Sequence, residues 1–149
     1  MAKAKAGARD AQVVLQLYDL RRESVLRAAR KFAVSEFWPQ SYDEFKAVLT
    51  DFGTEHNAWM RQCLTYWDLA AALVVQGALD EPLFYETNNE LYYLAAKYGP
   101  HLAQFKKEMG NPEFMHNFET LAAKPYARGR IKYLRSRIDA RYAALKASQ

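Results

Sequence analysis

The sequence predicts an all-α fold: a single-domain helical bundle or orthogonal array of about seven helices around a central helix near residues 54–76. Three observations carry this. Apolar residues recur at intervals of three and four along nearly the whole chain. Pro82, Pro100, Pro112 and Pro125 stand at the heads of such patterns, where a missing N–H costs nothing, and Gly53, Gly77, Gly99 and Gly110 stand at their tails, where positive φ is favoured. No β-branched run alternates with polar residues, so no strand is expected.

The first helix is expected from about Asp10 to Phe37, with Val13, Leu17, Leu20, Val25, Ala28 and Phe32 on its apolar face. Residues 1–9 are expected to form a disordered basic N-terminus, and residues 10–149 the single helical domain. Ser41 and Glu44 make an S-x-x-E capping box for a short second helix, in which Phe45, Val48, Leu49 and Phe52 follow the amphipathic spacing. The third helix, Thr54 to Gln76, carries Trp59, Met60, Cys63, Trp67, Ala70 and Val74 on one side and Leu69, Ala72 and Leu73 on another. A helix apolar nearly all round belongs at the centre. Asp80 caps a fourth helix reaching about Tyr98, and Pro100 starts a fifth that ends at Met109. Asn111-Pro112 starts the sixth, with Phe114, Phe118, Leu121 and Ala122 inward, and the seventh runs from about Tyr126 to Ala147 on Ile131, Leu134, Ile138, Tyr142 and Leu145.

The chain has 149 residues, half of them hydrophobic and 14% aromatic, which is too apolar for intrinsic disorder and long enough to hold a core without a metal or disulfide. One cysteine can form neither an intramolecular disulfide nor a zinc cluster, so a reducing, cytoplasmic setting is expected. The longest apolar run, Leu69 to Val75, is far short of the roughly 20 residues that span a bilayer, and no membrane insertion is expected. The basic N-terminus lacks the apolar region of a secretory signal.

The net charge of +4 is unevenly spread. Residues 1–31 carry a net +5, residues 32–123 a net −8 and residues 124–149 a net +7. The basic ends suit an anionic partner, or they neutralise the acidic middle within the fold; the second reading is preferred. Basic residues flank both sides of the last helix's apolar stripe, and no helix-turn-helix, zinc-finger or RNA-recognition signature is present, so nucleic acid is not expected as a partner.

No local motif carries chemistry. Cys63 shares a helix face with Trp59 and Trp67 and is expected to be a buried, unreactive thiol. Glu113 and His116 form a single E-x-x-H pair, whereas a di-iron bundle needs two and two further glutamates, so no metal or other cofactor is assigned. Phosphate-binding glycine loops and a nucleophile elbow are absent, and no catalytic residue is assigned. Two sets of residues remain as candidates. Arg21, Asp68, Glu86 and Glu90 interrupt apolar faces; they either line a polar pocket between helices for a small ligand or form structural ion pairs and hydrogen bonds. Tyr85, Tyr92 and Tyr93 lie in a polar-aromatic segment and are candidate anchors of a protein interface.

Several stretches resemble a family of small bacterial all-helical proteins of unknown function. They are Tyr18-Asp19-Leu20-Arg21-Arg22-Glu23, Phe52-Gly53-Thr54-Glu55-His56-Asn57-Ala58, Tyr66-Trp67-Asp68-Leu69-Ala70-Ala71, Gly77-Ala78-Leu79 and Gly110-Asn111-Pro112. The resemblance implies the helical fold and a bacterial cytoplasmic setting, and transfers no catalytic residue. The expected function is a non-enzymatic domain acting through protein contacts, with a homo-oligomer or other protein as partner. The alternatives are a small-molecule-binding or enzymatic bundle, and a basic nucleic-acid-binding protein.

Overall fold

In the computed structural model, which describes residues 5–149, the chain forms eight α-helices and no strand among the described residues. They are α1 (Ala8–Arg21), α2 (Ser24–Lys31), α3 (Tyr42–Thr50), α4 (Glu55–Val75), α5 (Glu81–Thr87), α6 (Glu90–Met109), α7 (His116–Ala122) and α8 (Arg128–Ala147). A π-helical turn (Phe32–Glu36) extends α2, and a 3-10 turn (Pro125–Ala127) leads into α8. Of the expected disordered stretch 1–9, residues 1–4 lie outside the described residues, and Ala8 and Arg9 already belong to α1.

The central helix is where its all-round apolarity predicts. α4 packs against α2, α3, α5 and α7, and its Met60, Cys63, Leu64, Trp67, Ala70 and Ala71 are fully buried. α6 packs against α7 and α8 and carries a second set of buried residues, Leu91, Tyr92, Leu94, Tyr98 and Leu102. The caps read from sequence form as hydrogen bonds. The Glu44 N–H donates to Ser41 Oγ, and the Leu83 N–H to Asp80 Oδ2. Thr54, expected as the first residue of its helix, is the residue that caps it, its Oγ1 accepting from the Asn57 N–H. Gly53, Gly77 and Gly110 adopt φ of +95°, +78° and +63°, the left-handed conformation expected after a helix.

Three boundaries differ from expectation, each for a local reason. The first long helix is broken at Arg22–Glu23. The Glu23 carboxylate accepts from the Val25 and Leu26 N–H groups and restarts the chain as α2. The break resets the helical phase, so Leu20 and Val25, expected on the apolar face, are exposed. The second difference lies between Asp80 and Met109. There the boundary is at Asn88–Asn89, where buried Asn88 Nδ2 donates to the Phe84 carbonyl at the end of α5. α6 instead runs straight through Gly99 and Pro100, although proline forgoes its hydrogen bond to the preceding turn. Likewise α7 starts at His116 rather than Asn111-Pro112, after Met115 in the left-handed conformation at φ 57°.

Candidate functional site

The polar residues singled out from sequence do not converge on one pocket. Glu90, at the first position of α6, is the most heavily used. Its carboxylate is gripped as a fork by Arg30 of α2, with Nε to Oε1 at 2.8 Å and Nη2 to Oε2 at 2.6 Å. Trp67 Nε1 of α4 donates to the same Oε1 at 3.0 Å. Arg30 also donates from Nη1 to the Arg21 carbonyl at 3.3 Å. Three helices and the end of α1 are therefore tied at one carboxylate, and the Glu90 carboxylate holds the Arg30 pKa above its ordinary value.

Arg21 approaches this cluster from another side. Its guanidinium lies 5.5 Å from the Trp67 ring centroid and 5.3 Å from that of Tyr18, and its buried Nε has no hydrogen-bond partner. Arg21 and Glu90 thus meet at Trp67, but the ion pair belongs to Arg30. Asp68 faces α7, where Oδ1 accepts from the Phe118 N–H at 2.9 Å. Met115, the residue preceding α7, supplies no side-chain cap, so the central helix caps α7 in its place. Glu86 is exposed on α5. Cys63 is fully buried, and burial pushes its thiol pKa well above the ordinary range.

The tyrosines expected to anchor an interface are used internally. Tyr92 is fully buried, which corrects its reading as a surface anchor; burial pushes its pKa up to about 12. Tyr85 is half-buried, packs edge-on against Tyr92 and Tyr126, and has the Arg130 guanidinium 3.6 Å from its ring centroid. Tyr93 donates from its hydroxyl to the Val34 carbonyl at 3.2 Å.

That last bond belongs to a second cluster not anticipated from sequence. The π turn and the loop after it leave carbonyls without partners in their own helix. Side chains of α6 and α8 supply the donors. Lys97 Nζ donates to Ala33 O at 2.9 Å and Val34 O at 3.2 Å; Tyr98 OH donates to Ala33 O and Phe37 O; Tyr142 OH donates to Pro39 O. The Lys97 ammonium also sits 3.7 Å from the Trp38 ring centroid. No carboxylate pairs with it, and burial pulls its pKa down to about 7, against the carbonyls and ring that favour the charged form. Lys97 also lines a cleft of about 480 Å³ between α6, α8 and the Pro39–Gln40 loop. A lysine inside the apolar run Leu91 to Tyr98 was the sequence signal for this cluster, and Arg30 lay in a region read as simply amphipathic.

The exposed apolar residues concentrate differently from expectation. On α1, only Leu17 is buried, and Asp10, Val13, Val14 and Arg21 are partly covered on the same side. Beside them, Ala11, Leu15, Tyr18 and Arg22 fall at i, i+4, i+7 and i+11 and face solvent, with Leu15 66% and Tyr18 53% exposed. The apolar arc of α1 is wider than the surface that covers it. Among the described residues there is no group of three or more His, Cys, Asp or Glu side chains placed to hold a metal, and no helix is long and apolar enough to cross a membrane.

The chain belongs to the family described as "Domain of unknown function (DUF4760)", whose model matches residues 6–124 and so spans α1 to α7. No curated protein and no solved structure matches the chain.

Proposed function

We propose that this family member is a non-enzymatic interaction domain of the bacterial cytoplasm, and that it self-associates through the outer stripe of α1. The observation that carries the reading is the exposure of Leu15 and Tyr18, side by side on a helix that buries a single residue. Large apolar side chains grouped on one face, with Arg22 beside them, have the composition of an interface centre. The polar residues that would have served a ligand pocket support the same choice. Glu90 is held by Arg30 and Trp67, Asp68 caps α7, and Glu86 stands apart on the surface. The single buried Cys63 suits a reducing compartment.

A symmetric pair of α1 helices would place Leu15 and Tyr18 of one copy against those of the other. Light scattering behind size exclusion tests this. The wild-type chain should elute with a dimer's mass, and Leu15→Asp combined with Tyr18→Asp should elute as a monomer with unchanged helical content. A wild-type monomer at the highest soluble concentration would end the proposal.

A further inference from the structure

We propose that the groove between α7 and α8 binds a linear polyphosphate-type anion through Arg128, Lys132 and Arg135. The groove has a volume of about 420 Å³, within the range that holds small ligands. Arg128, Lys132 and Arg135 are spaced i, i+4, i+7 along one side of α8 and all line it, over a floor formed by Ala122 and the half-buried Ile131.

Three features mark this as more than a solvated helix face. First, α8 carries seven Lys and Arg residues, and none of them forms an ion pair among the described residues. Arg30, Lys31, Lys46, Lys106 and Lys124, elsewhere in the chain, each do. Second, α8 begins against its own dipole: its first turn has Arg128 and Arg130, no acid and no side-chain cap. Cations at a helix N-terminus are unfavourable, and Arg128 and Lys132 repel one another at i, i+4. Arg130 is held by the Tyr85 carbonyl and ring, whereas Arg128 and Lys132 have no ion-pair partner among the described residues, and an anion laid along the groove would offset both terms. Third, the one acid of α8, Asp139, lies at the far end of the groove. It places the groove's cations at the end nearer the start of α8.

The geometry sets the ligand class. Seven residues of α-helix rise about 10 Å, so a chain of linked phosphates can meet all three cations in their extended spacing, whereas one phosphate would have to draw them together against their mutual repulsion. Guanidinium groups grip phosphate oxygens bidentately, and the lysine between them adds a point charge.

The probe is inorganic tripolyphosphate, titrated calorimetrically into the full chain at low salt. Saturable one-to-one binding is expected, at least about tenfold tighter than orthophosphate at matched ionic strength and weakening steeply with added salt. Arg128→Gln/Lys132→Gln/Arg135→Gln should lose about tenfold or more in affinity, whereas Arg137→Gln/Arg141→Gln, on the other flank, should bind within about twofold of wild type. These positions are exposed, so both variants keep the fold. Equal loss in the two variants would reduce the effect to diffuse charge and overturn the site. So would binding to phosphatidylserine vesicles or single-stranded DNA without tripolyphosphate binding. Neither result depends on whether α1 mediates self-association.

Discussion

α4 and α8 are nearly the same length, 21 and 20 residues, and they solve opposite problems. α4 is surrounded, and each polar group it brings inside has a partner. Asn57 Nδ2 donates to Val48 O, Tyr66 OH to Leu17 O, and Trp67 Nε1 to Glu90, while Asp68 accepts from Phe118 N–H. α8 covers one edge, burying only Leu134 and Ile138, and gives its cations no carboxylate partners: Arg130 donates to the Tyr85 carbonyl, and the rest are exposed. The difference shows what burial demands. An unpaired polar group in the centre costs free energy outright, so α4 cannot tolerate one, whereas water satisfies the exposed charges of α8 and leaves them free for another purpose.

The comparison implies a graded series of effects. The largest is expected in α4. Trp67→Ala removes the largest fully buried side chain, its hydrogen bond to Glu90 and its contact with Arg21, and should cost about 3–5 kcal/mol in denaturant unfolding. A loss under about 1 kcal/mol would mean that α4 is not the organising centre.

Next comes the carboxylate to which α4 is tied. Glu90→Ala leaves Arg30 and the Trp67 N–H without their partner. Because the Arg30 side chain is 26% exposed, water recovers part of the loss, and about 2 kcal/mol is expected. Replacing both residues, Arg30→Leu with Glu90→Leu, should cost less than Glu90→Ala alone. A double-mutant cycle reads that difference directly.

A smaller effect is expected at the cleft where α6 meets α8. The Lys97 pKa is held down, toward about 7, while the unfolded lysine keeps its ordinary value near 10.5. Between those values the unfolded chain binds the extra proton, so stability should rise with pH above about 7. From about pH 7 to 8.5, below the ordinary thiol range, the gain should be about 1.5 kcal/mol. Lys97→Met should flatten that slope in pH-dependent unfolding. An unchanged slope would show that the carbonyls and the Trp38 ring keep the amine charged throughout.

The smallest effect belongs to α8. Arg128→Gln with Lys132→Gln should change stability by no more than about 0.5 kcal/mol, and in the stabilising direction at low salt. A thermal melt at two salt concentrations would show it. A clear destabilisation would mean that these cations have structural partners after all.

Most of the fold was legible in the sequence because helix periodicity, capping boxes and left-handed glycines are local signals. Ser41 and Asp80 cap as read, and the all-round apolarity of Glu55–Val75 does mark the centre. The misplaced boundaries were those with an unconventional signal or with a conventional one that the fold overrides. A glutamate rather than a serine or aspartate caps α2, and Gly99-Pro100 has the look of a stop inside a continuous helix. The candidate site was legible only as a set of residues. Glu90 and Arg21 do meet at Trp67, but the choice of Arg30 as partner, and of Phe118 as the group that Asp68 caps, joins residues 50 to 60 positions apart.

By itself, then, the sequence determined the fold class, the central helix and the division of charge into basic ends and an acidic middle. It could do so because each follows from neighbours within a few turns or from composition. Only the tertiary structure decided how that charge is spent. Arg30 and Lys124 pair with Glu90 and Glu81 of the acidic middle, as internal neutralisation requires, whereas the cations of α8 do not. Pairing needs a carboxylate within about 4 Å, and which helices come that close is set by the packing of apolar faces rather than by the charges themselves.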